Sequence, residues 1–169
     1  MLAVADTSPL HYLVLIHQEA LLPTLYGRVV IPPAVSSELL RSETPDVVRQ
    51  WLASPPAWLS IQPPQQSLDA VAFPKLGAGE REAISLAQEL PGAILVIDDH
   101  DGREEAARRA IDMIGTLGVL EAAAIRGFID LPPVLTQLQA TTFHGSPRLF
   151  ADARARDAAR KADPQYRRE

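Results

Sequence analysis

Acidic residues follow short apolar runs at two distant points of this chain. Asp6 comes directly after the run Leu2–Ala5, and the pair Asp98 and Asp99 comes directly after the run Ile94–Ile97. Two carboxylates held about 4 Å apart repel each other by about 4 kcal/mol at an effective dielectric of 20, so a cluster of them needs a cation, a shared proton or separation. A hard divalent ion such as Mg²⁺ or Mn²⁺ would supply the positive charge, because these ions prefer oxygen ligands. Sites of this kind typically activate water and neutralise charge on a phosphodiester.

Two glutamates are candidates for the same cluster. Glu38 lies in a predicted helix after the apolar run Arg28–Ile31, and Glu80 lies in the first turn of the predicted helix that precedes Ile94–Ile97. Function in open α/β sheets gathers outside the carboxyl ends of the strands, so both side chains could reach the edge where Asp6 lies. Each acid taken alone also has an ordinary explanation as a helix cap, a solvated helix residue or a turn residue. Their joint placement favours a functional site.

The composition indicates which elements position these residues. The chain has 169 residues, of which 47 % are apolar and only 5 % aromatic, so its core must consist of Ala, Val, Ile and Leu. Such a core is typical of buried parallel strands packed by helices, and the length suits one domain. Besides the three runs above, Met113–Ile114 is predicted as a weak fourth strand and Leu59–Ile61 as a short strand in a proline-rich stretch.

Helix signals separate the predicted strands. Ser8 is a good N-cap with Pro9 at the first helical position, and prolines open a short helix after the second strand. Further helices are predicted at Asp46–Leu52, from Gly79 onward and beyond Leu131. This alternation of strands and helices predicts a doubly wound α/β domain with a mostly parallel sheet.

The charge balance and the cysteine content exclude several function classes. The formal net charge of -5 excludes a polybasic nucleic-acid coat. Residues 1–142 hold nine basic and 17 acidic side chains, a net of -8, whereas residues 143–169 hold seven and four, a net of +3. The absence of cysteine excludes thiol catalysis, Cys-based zinc sites and iron–sulfur clusters. Because the N-terminus has no basic n-region and no apolar run approaches the ~18 residues of a membrane span, we expect a soluble, cytoplasmic protein.

Five blocks of residues occur in an order that matches a known family. They are Asp6-Thr7-Ser8-Pro9-Leu10, then Val30–Val35 with Glu38-Leu39, then Leu76–Ile84, then Leu95–Arg103, and finally Gly115-Thr116-Leu117-Gly118. Over roughly residues 1–130 these blocks resemble the PIN domain, close to the VapC-like toxin nucleases. The resemblance implies a PIN-like three-layer α/β fold, with a mostly parallel central sheet of four or five strands flanked by helices. We expect residues 1–142 to form the nuclease domain and residues 143–169 a basic helical C-terminal tail.

The resemblance also implies roles for individual acids. Asp6, Glu38 and Glu80 match acids that bind the catalytic Mg²⁺ or Mn²⁺. The fourth acid is Asp99 if the position one residue past the strand end is matched, or Asp98 if the alignment shifts by one residue. We favour Asp99 and keep both as catalytic and metal-binding candidates.

Other residues near these blocks have less specific roles. Thr7 and Ser8 match small hydroxyl residues that line such sites, and Arg103 could hold a substrate phosphate or be a surface charge of its helix. His100 is left out of the core site, because a lone loop histidine is more often neither a ligand nor a proton shuttle. Three aromatic residues could stack on bases, although filling apolar gaps is the commoner use of an aromatic ring; they are Trp51, Trp58 and Phe73.

The function implied by the resemblance is metal-dependent hydrolysis of RNA phosphodiester bonds. PIN-domain nucleases of this kind are often toxins paired with an antitoxin and often homodimers, so RNA and a cognate antitoxin are the expected partners, with no membrane. A catalytically inactive PIN-fold module that binds RNA or a protein is the alternative. A receiver-like phosphoacceptor fits poorly, because it needs a lysine at a late strand end and Lys75 is the only lysine before the tail.

The basic tail has two interpretations. Its cations could contact RNA phosphates, or they could form a solvated helix over Arg148–Ala162 with ion pairs such as Asp157 with Arg160 and Lys161. We favour the second interpretation. The basic residues concerned are Arg148, Arg154, Arg156, Arg160, Lys161, Arg167 and Arg168.

Overall fold

A computed structural model describes residues 1–163 of the chain. It contains a five-stranded sheet in the order β3-β2-β1-β4-β5, and every pairing is parallel. The predicted α/β class, with a mostly parallel sheet of four or five strands flanked by helices, is therefore confirmed. The strands are β1 (Leu2–Ala5), β2 (Arg28–Ile31), β3 (Leu59–Ile61), β4 (Ala93–Val96) and β5 (Met113–Ile114). The helices are α1 (Thr7–Leu15), α2 (Leu21–Tyr26), α3 (Pro33–Leu39), α4 (Asp46–Ala53), α5 (Ala78–Glu89), α6 (His100–Arg108), α7 (Thr116–Ile125), α8 (Leu131–Gln139) and α9 (Pro147–Ala162).

Short aliphatic side chains form the core around the sheet. Val4 of β1 pairs with Val30 of β2 and with Leu95 of β4, and all three are buried. Helix α5 contacts β1 and β4, and its Ala83 and Ile84 join the same cluster. Strands β1 and β4 consist only of short aliphatic residues, as buried parallel strands typically do, which is why the sequence pattern locates them.

The strand order places a topological switch between β1 and β4. From β1 the chain adds β2 and β3 on one side, and it later adds β4 and β5 on the other. Ala5 pairs with Val96, and the Asp6 N–H donates to the Val96 carbonyl at 2.9 Å, so the two strands end side by side. A crevice outside the strand ends is expected at such a switch, and the acids after β1 and β4 lie there.

Several element boundaries differ from the sequence prediction. Strand β4 runs over Ala93–Val96, one residue earlier than predicted, because Gly92 turns the chain with a φ of 78° and allows Ala93 to pair with Leu2. The predicted N-cap at Ser8 is wrong. Asp6 occupies the cap position with extended backbone and α1 begins at Thr7, so Pro9 is the third helical residue, where the missing N–H leaves no bond unmade.

Helix α2 was not predicted at all. It spans six residues, and its sequence Leu-Leu-Pro-Thr-Leu-Tyr contains a proline that resembles a helix breaker. Pro23 is the third helical residue, however, and a proline is tolerated in the first turn of a helix. The buried side chains of Leu21, Leu22 and Leu25 then hold the helix on the body of the protein.

The chain divides into two compact units, Met1–Thr116 and Leu117–Glu169. Within the second unit α8 and α9 pack together, and the Ser146 hydroxyl caps α9 by accepting from the Leu149 N–H at 3.1 Å. Helix α9 confirms the helix predicted over Arg148–Ala162. The division into a nuclease domain, 1–142, and a basic helical C-terminal tail, 143–169, stays a prediction. No helix within residues 1–163 combines the length and apolar character needed to cross a membrane.

Candidate metal and active site

Asp6 is a buried carboxylate with incomplete hydrogen bonding. It is 3 % exposed, and its Oδ1 has no hydrogen-bond partner. Although Asp6 occupies the cap position of α1, its side chain makes no cap hydrogen bond, so capping does not explain this residue. Burial, together with the charges of Glu80, Glu38 and Asp98, raises the pKa of Asp6 to about 8, although the hydrogen bond from the Thr7 N–H acts in the opposite direction. The site thus holds a carboxylate whose charge lacks compensation.

Glu38 is held by residues of two other helices. The Thr7 hydroxyl in α1 donates to Oε2, and the Gly79 N–H in α5 donates to Oε1 at 3.0 Å. A Cβ atom on Gly79 would lie 2.6 Å from Glu38 Oε2, so any larger residue there would displace the Glu38 carboxylate. The Arg41 guanidinium lies 3.9 Å from Oε1 at the exposed side. The carboxylate is therefore oriented by α1, α3 and α5 together.

Glu80 caps a helix and also lies close to the other acids. Its Oε2 accepts from the Gly77 N–H at 2.7 Å, which caps the start of α5 as its place in the first turn suggests. Burial raises the pKa of Glu80, the charges of Asp99, Glu38 and Asp101 raise it further, and the Gly77 bond acts in the opposite direction. Glu80 therefore lies within electrostatic reach of the other acids.

Asp98 and Asp99 have different surroundings. Asp98 accepts from the Thr116 N–H at 2.7 Å and from the Thr116 hydroxyl at 2.6 Å, and its charge acts on Asp6. Burial raises the pKa of Asp98, while the Thr116 bonds and the Arg103 charge lower it. Asp99 is exposed, caps α6 by accepting from the Gly102 N–H at 2.9 Å, and acts on Glu80. Both remain candidates for the fourth acid.

Thr116 is the hydrogen-bond partner of Asp98. It is the first residue of α7, and both its donors bind Asp98. Gly115 next to it leaves room for this contact, because a Cβ there would lie 2.9 Å from Asp98 Oδ1. Thr116 is fully buried and orients Asp98.

The three predicted substrate contacts lie around the acids. Thr7 donates to Glu38, and Ser8 is half-buried in the first turn of α1. The Arg103 guanidinium donates to the Ile97 carbonyl at 2.9 Å and lies beside Asp98. The hydrogen bond of Thr7 orients the Glu38 carboxylate. That Thr7, Ser8 and Arg103 bind substrate stays a prediction.

The donor set fits a hard divalent ion. Every predicted ligand is a carboxylate oxygen, and the buried Asp6 Oδ1 has no partner. Mg²⁺ and Mn²⁺ prefer such ligands, and a dication would compensate the charges that raise the pKa of Asp6. The acids are thus suited to such an ion in type, burial and charge.

A second group near the site was missed from the sequence. Among residues 1–163, the group of three whose potential ligand atoms all lie within 4.8 Å of one another is His100, Asp101 and Glu104, in the first turns of α6. It contains none of the predicted ligands. The spacing of His100 and Glu104, four residues apart on a helix, was the available signal, because residues so spaced share a helix face.

Comparisons with known proteins identify one matching family and one similar solved structure. The family model DUF3368, described as a PIN domain, matches residues 2–158. One similar solved structure is a PilT N-terminus domain protein from the hyperthermophilic archaeon Sulfolobus solfataricus P2. It is 19 % identical, with a TM-score of 0.45, and the match covers 86 % of this chain and 100 % of that one. No protein of curated function matches the sequence.

Proposed function

This chain belongs to the PIN-domain family, and from that membership we propose that it is a Mg²⁺- or Mn²⁺-dependent endoribonuclease. PIN domains are in general nucleases. Asp6 carries the proposal, because its buried Oδ1 lacks a partner and the charges acting on it, Glu80, Glu38 and Asp98, are all acidic. A buried carboxylate without compensation costs several kcal/mol of folding free energy. Binding of a cation by Asp6 would explain why the fold retains such a carboxylate.

The ligands in this proposal are Asp6, Glu38, Glu80 and Asp98 or Asp99. A divalent ion bound there would lower the pKa of a water molecule and neutralise charge on the scissile phosphate. These carboxylates are enough to bind one or two divalent ions.

Residues around the acids would orient them before binding. Thr7 and Gly79 hold both oxygens of Glu38, and Thr116 holds both oxygens of Asp98. Such bonds fix the carboxylates in one rotamer, which reduces the entropy lost on binding and raises ligand affinity. Arg103, beside Asp98, would add one positive charge for the substrate phosphate.

We extend the proposal to a VapC-like toxin that is inhibited by a cognate antitoxin and acts in the cytoplasm as a homodimer. These details rest on the sequence blocks that resemble VapC-like nucleases. A neighbouring reading frame for a small DNA-binding protein, and its co-purification with this chain, would support the pairing. Full cleavage activity in the presence of that protein would contradict it.

The proposed activity is tested by incubating a labelled single-stranded RNA with purified protein, with and without Mn²⁺. Wild type should cleave only with metal, and Asp6→Asn should not cleave. Glu43→Gln, which removes one exposed acid on the same unit, should cleave like wild type. Equal cleavage by wild type and Asp6→Asn, or cleavage without metal, contradicts the mechanism. Intact RNA together with no Mn²⁺ binding by calorimetry would support the catalytically inactive binding module instead.

A further inference from the structure

A cleft lies next to the acids and has no role in the proposed metal chemistry. Its volume is about 310 Å³, and it is formed between the segment before α5 and one face of α6. Asp101 of its wall lies two residues after Asp99 and acts electrostatically on Glu80. The lining side chains used below are Phe73, Lys75, Asp101, Glu104 and Arg108.

The walls of the cleft combine three kinds of group. Phe73 supplies an aromatic ring, with the Arg109 guanidinium 5.4 Å from its centroid. Asp101 and Glu104 supply carboxylates that come within 4.8 Å of each other. Lys75 supplies a cation that makes no ion pair or hydrogen bond with any residue in the described part of the chain, 1–163. An aromatic face, hydrogen-bond acceptors and an unpaired cation are the groups that a nucleotide needs.

We propose that this cleft binds one base of the single-stranded RNA substrate, and that it selects bases carrying an exocyclic amino group. This inference rests on the proposed function in taking RNA as the substrate. The volume lies at the lower end of small-ligand pockets, which suits a single nucleotide. The base would pack against the part of the Phe73 ring that the Arg109 guanidinium leaves uncovered, and the Lys75 ammonium would contact the adjoining phosphate.

The selectivity follows from the carboxylates. An ionised Asp or Glu only accepts hydrogen bonds, so it matches the amino groups of adenine, cytosine and guanine. Uracil has no amino group; its one donor on that edge, N3–H, lies between two carbonyl oxygens, which the two carboxylates repel. Glu104 also accepts from Arg108 at 2.7 Å, and this bond limits the orientations of its carboxylate. The cleft therefore discriminates against uracil.

The test measures binding separately from cleavage. Fluorescent oligo(C), oligo(A) and oligo(U) of about ten nucleotides are titrated with wild type in Ca²⁺, which also takes oxygen ligands, and a gel checks that the RNA stays intact. We expect oligo(C) and oligo(A) to bind about tenfold more tightly than oligo(U). Equal affinities, a preference for oligo(U) or no binding of any oligonucleotide would overturn the proposal.

Variants test whether the cleft causes the preference. Glu104→Gln and the double variant Asp101→Asn with Glu104→Gln gain an amide donor, which can bind the uracil carbonyl, so the preference against oligo(U) should disappear. Glu43→Gln removes the same charge at an exposed site and should retain the preference. Lys75→Gln should weaken all three oligonucleotides equally and lower the salt dependence of binding.

The outcomes separate this proposal from the proposed catalytic function. In one outcome, Asp6→Asn abolishes metal-dependent cleavage, but the Glu104→Gln and double variants keep the base preference. This outcome supports the nuclease function and rejects the role of the cleft. In the other outcome, these variants abolish the base preference, but the protein cleaves no RNA with Mn²⁺. This outcome supports base binding in the cleft and rejects the catalytic function.

Discussion

Two aspartates are buried to almost the same extent in the two units of this protein, but their surroundings are opposite. Asp6, in the first unit, is 3 % exposed, and Asp157, on α9 of the second unit, is 4 % exposed. Asp157 accepts from Lys161 at 2.8 Å and from Arg160. Burial acts to raise the pKa of Asp157, but these hydrogen bonds and charges outweigh it, so the pKa is lowered. The pKa of Asp6 rises to about 8.

Burial alone therefore does not identify a functional carboxylate. A buried charge that stabilises a fold is paired, whereas a buried charge that the fold leaves uncompensated is available to a ligand. Most cations of the basic tail form ion pairs or hydrogen bonds within the protein. These contacts favour the interpretation of α9 as an ion-paired helix over that of an RNA-binding surface. These contacts are Arg148 with Asp152, Arg154 with Thr136 and Gln139, Arg156 with Glu121, and Lys161 with Asp130. Arg167 and Arg168 lie outside the described residues.

The largest effect is expected on activity when the uncompensated charge is removed. Asp6→Asn keeps the size of the side chain but loses a charged ligand, so we expect RNA cleavage with Mn²⁺ to fall by about 10³-fold or more. The rate is measured under single-turnover conditions. The matched variant Asp157→Asn should retain the wild-type rate at a temperature where it stays folded. A similar loss of activity in both variants would remove the functional distinction between the two aspartates.

The same Asp6→Asn variant is expected to be more stable than wild type without divalent ions. A carboxyl whose pKa is higher in the folded protein binds more protons there, so the wild type loses stability as the pH rises from about 4 to about 8. At pH 7 the gain on substitution is at most about 4 kcal/mol. Urea unfolding across this pH range measures it.

Added Mn²⁺ provides the control for this stability effect. It should raise the free energy of unfolding of wild type and leave that of Asp6→Asn nearly unchanged, because a ligand stabilises only the state that binds it. A wild type that is equally stable at pH 5 and pH 8, with or without Mn²⁺, would show that Asp6 is compensated after all.

At Asp157 the sign of the stability effect is reversed. Asp157→Asn leaves Arg160 and Lys161 without their shared carboxylate, and we expect a loss of about 3 kcal/mol in unfolding free energy at neutral pH. The lowered pKa means that this contribution is present above pH 4 and is lost only as the pH falls through the acid range. Asp152→Asn on the same helix, whose side chain is 54 % exposed, should change stability by less than about 0.5 kcal/mol.

The elements of the site could largely be predicted from the sequence. Strands such as β2 are local apolar runs, and parallel pairing brings the residues after β1 and β4 to one edge, so Asp6 and Asp98 were placed together by topology alone. The start of α1 could not be located, because Ser8 and Asp6 are both good caps and the backbone angles of Asp6 decide between them. Helix α2 was missed because its proline resembles a breaker.

The contacts that orient the acids could not be predicted. Asp98 is distinguished from Asp99 by Thr116, which lies 18 residues further along the chain, and no local pattern encodes that bond. The approach of Gly79 to Glu38 spans 41 residues in the same way. Such bonds depend on how whole helices are placed, so a sequence read locally shows the charges but not their partners.

The charge of Glu38 is compensated more than that of Asp6 and less than that of Asp157. A substitution next to Glu38 therefore has the smallest expected effect and gives the most specific test. Its oxygens have donors, but the cation near it, Arg41, has a side chain that is 62 % exposed and lies 3.9 Å away. Thr7→Val removes one donor without changing the shape of the side chain, so we expect Mn²⁺ to bind about tenfold more weakly. Thr7→Ser keeps the hydroxyl and should bind Mn²⁺ within about twofold of wild type. If Thr7 instead contacts the substrate, Thr7→Val should raise the KM for RNA and leave the calorimetric affinity for Mn²⁺ unchanged.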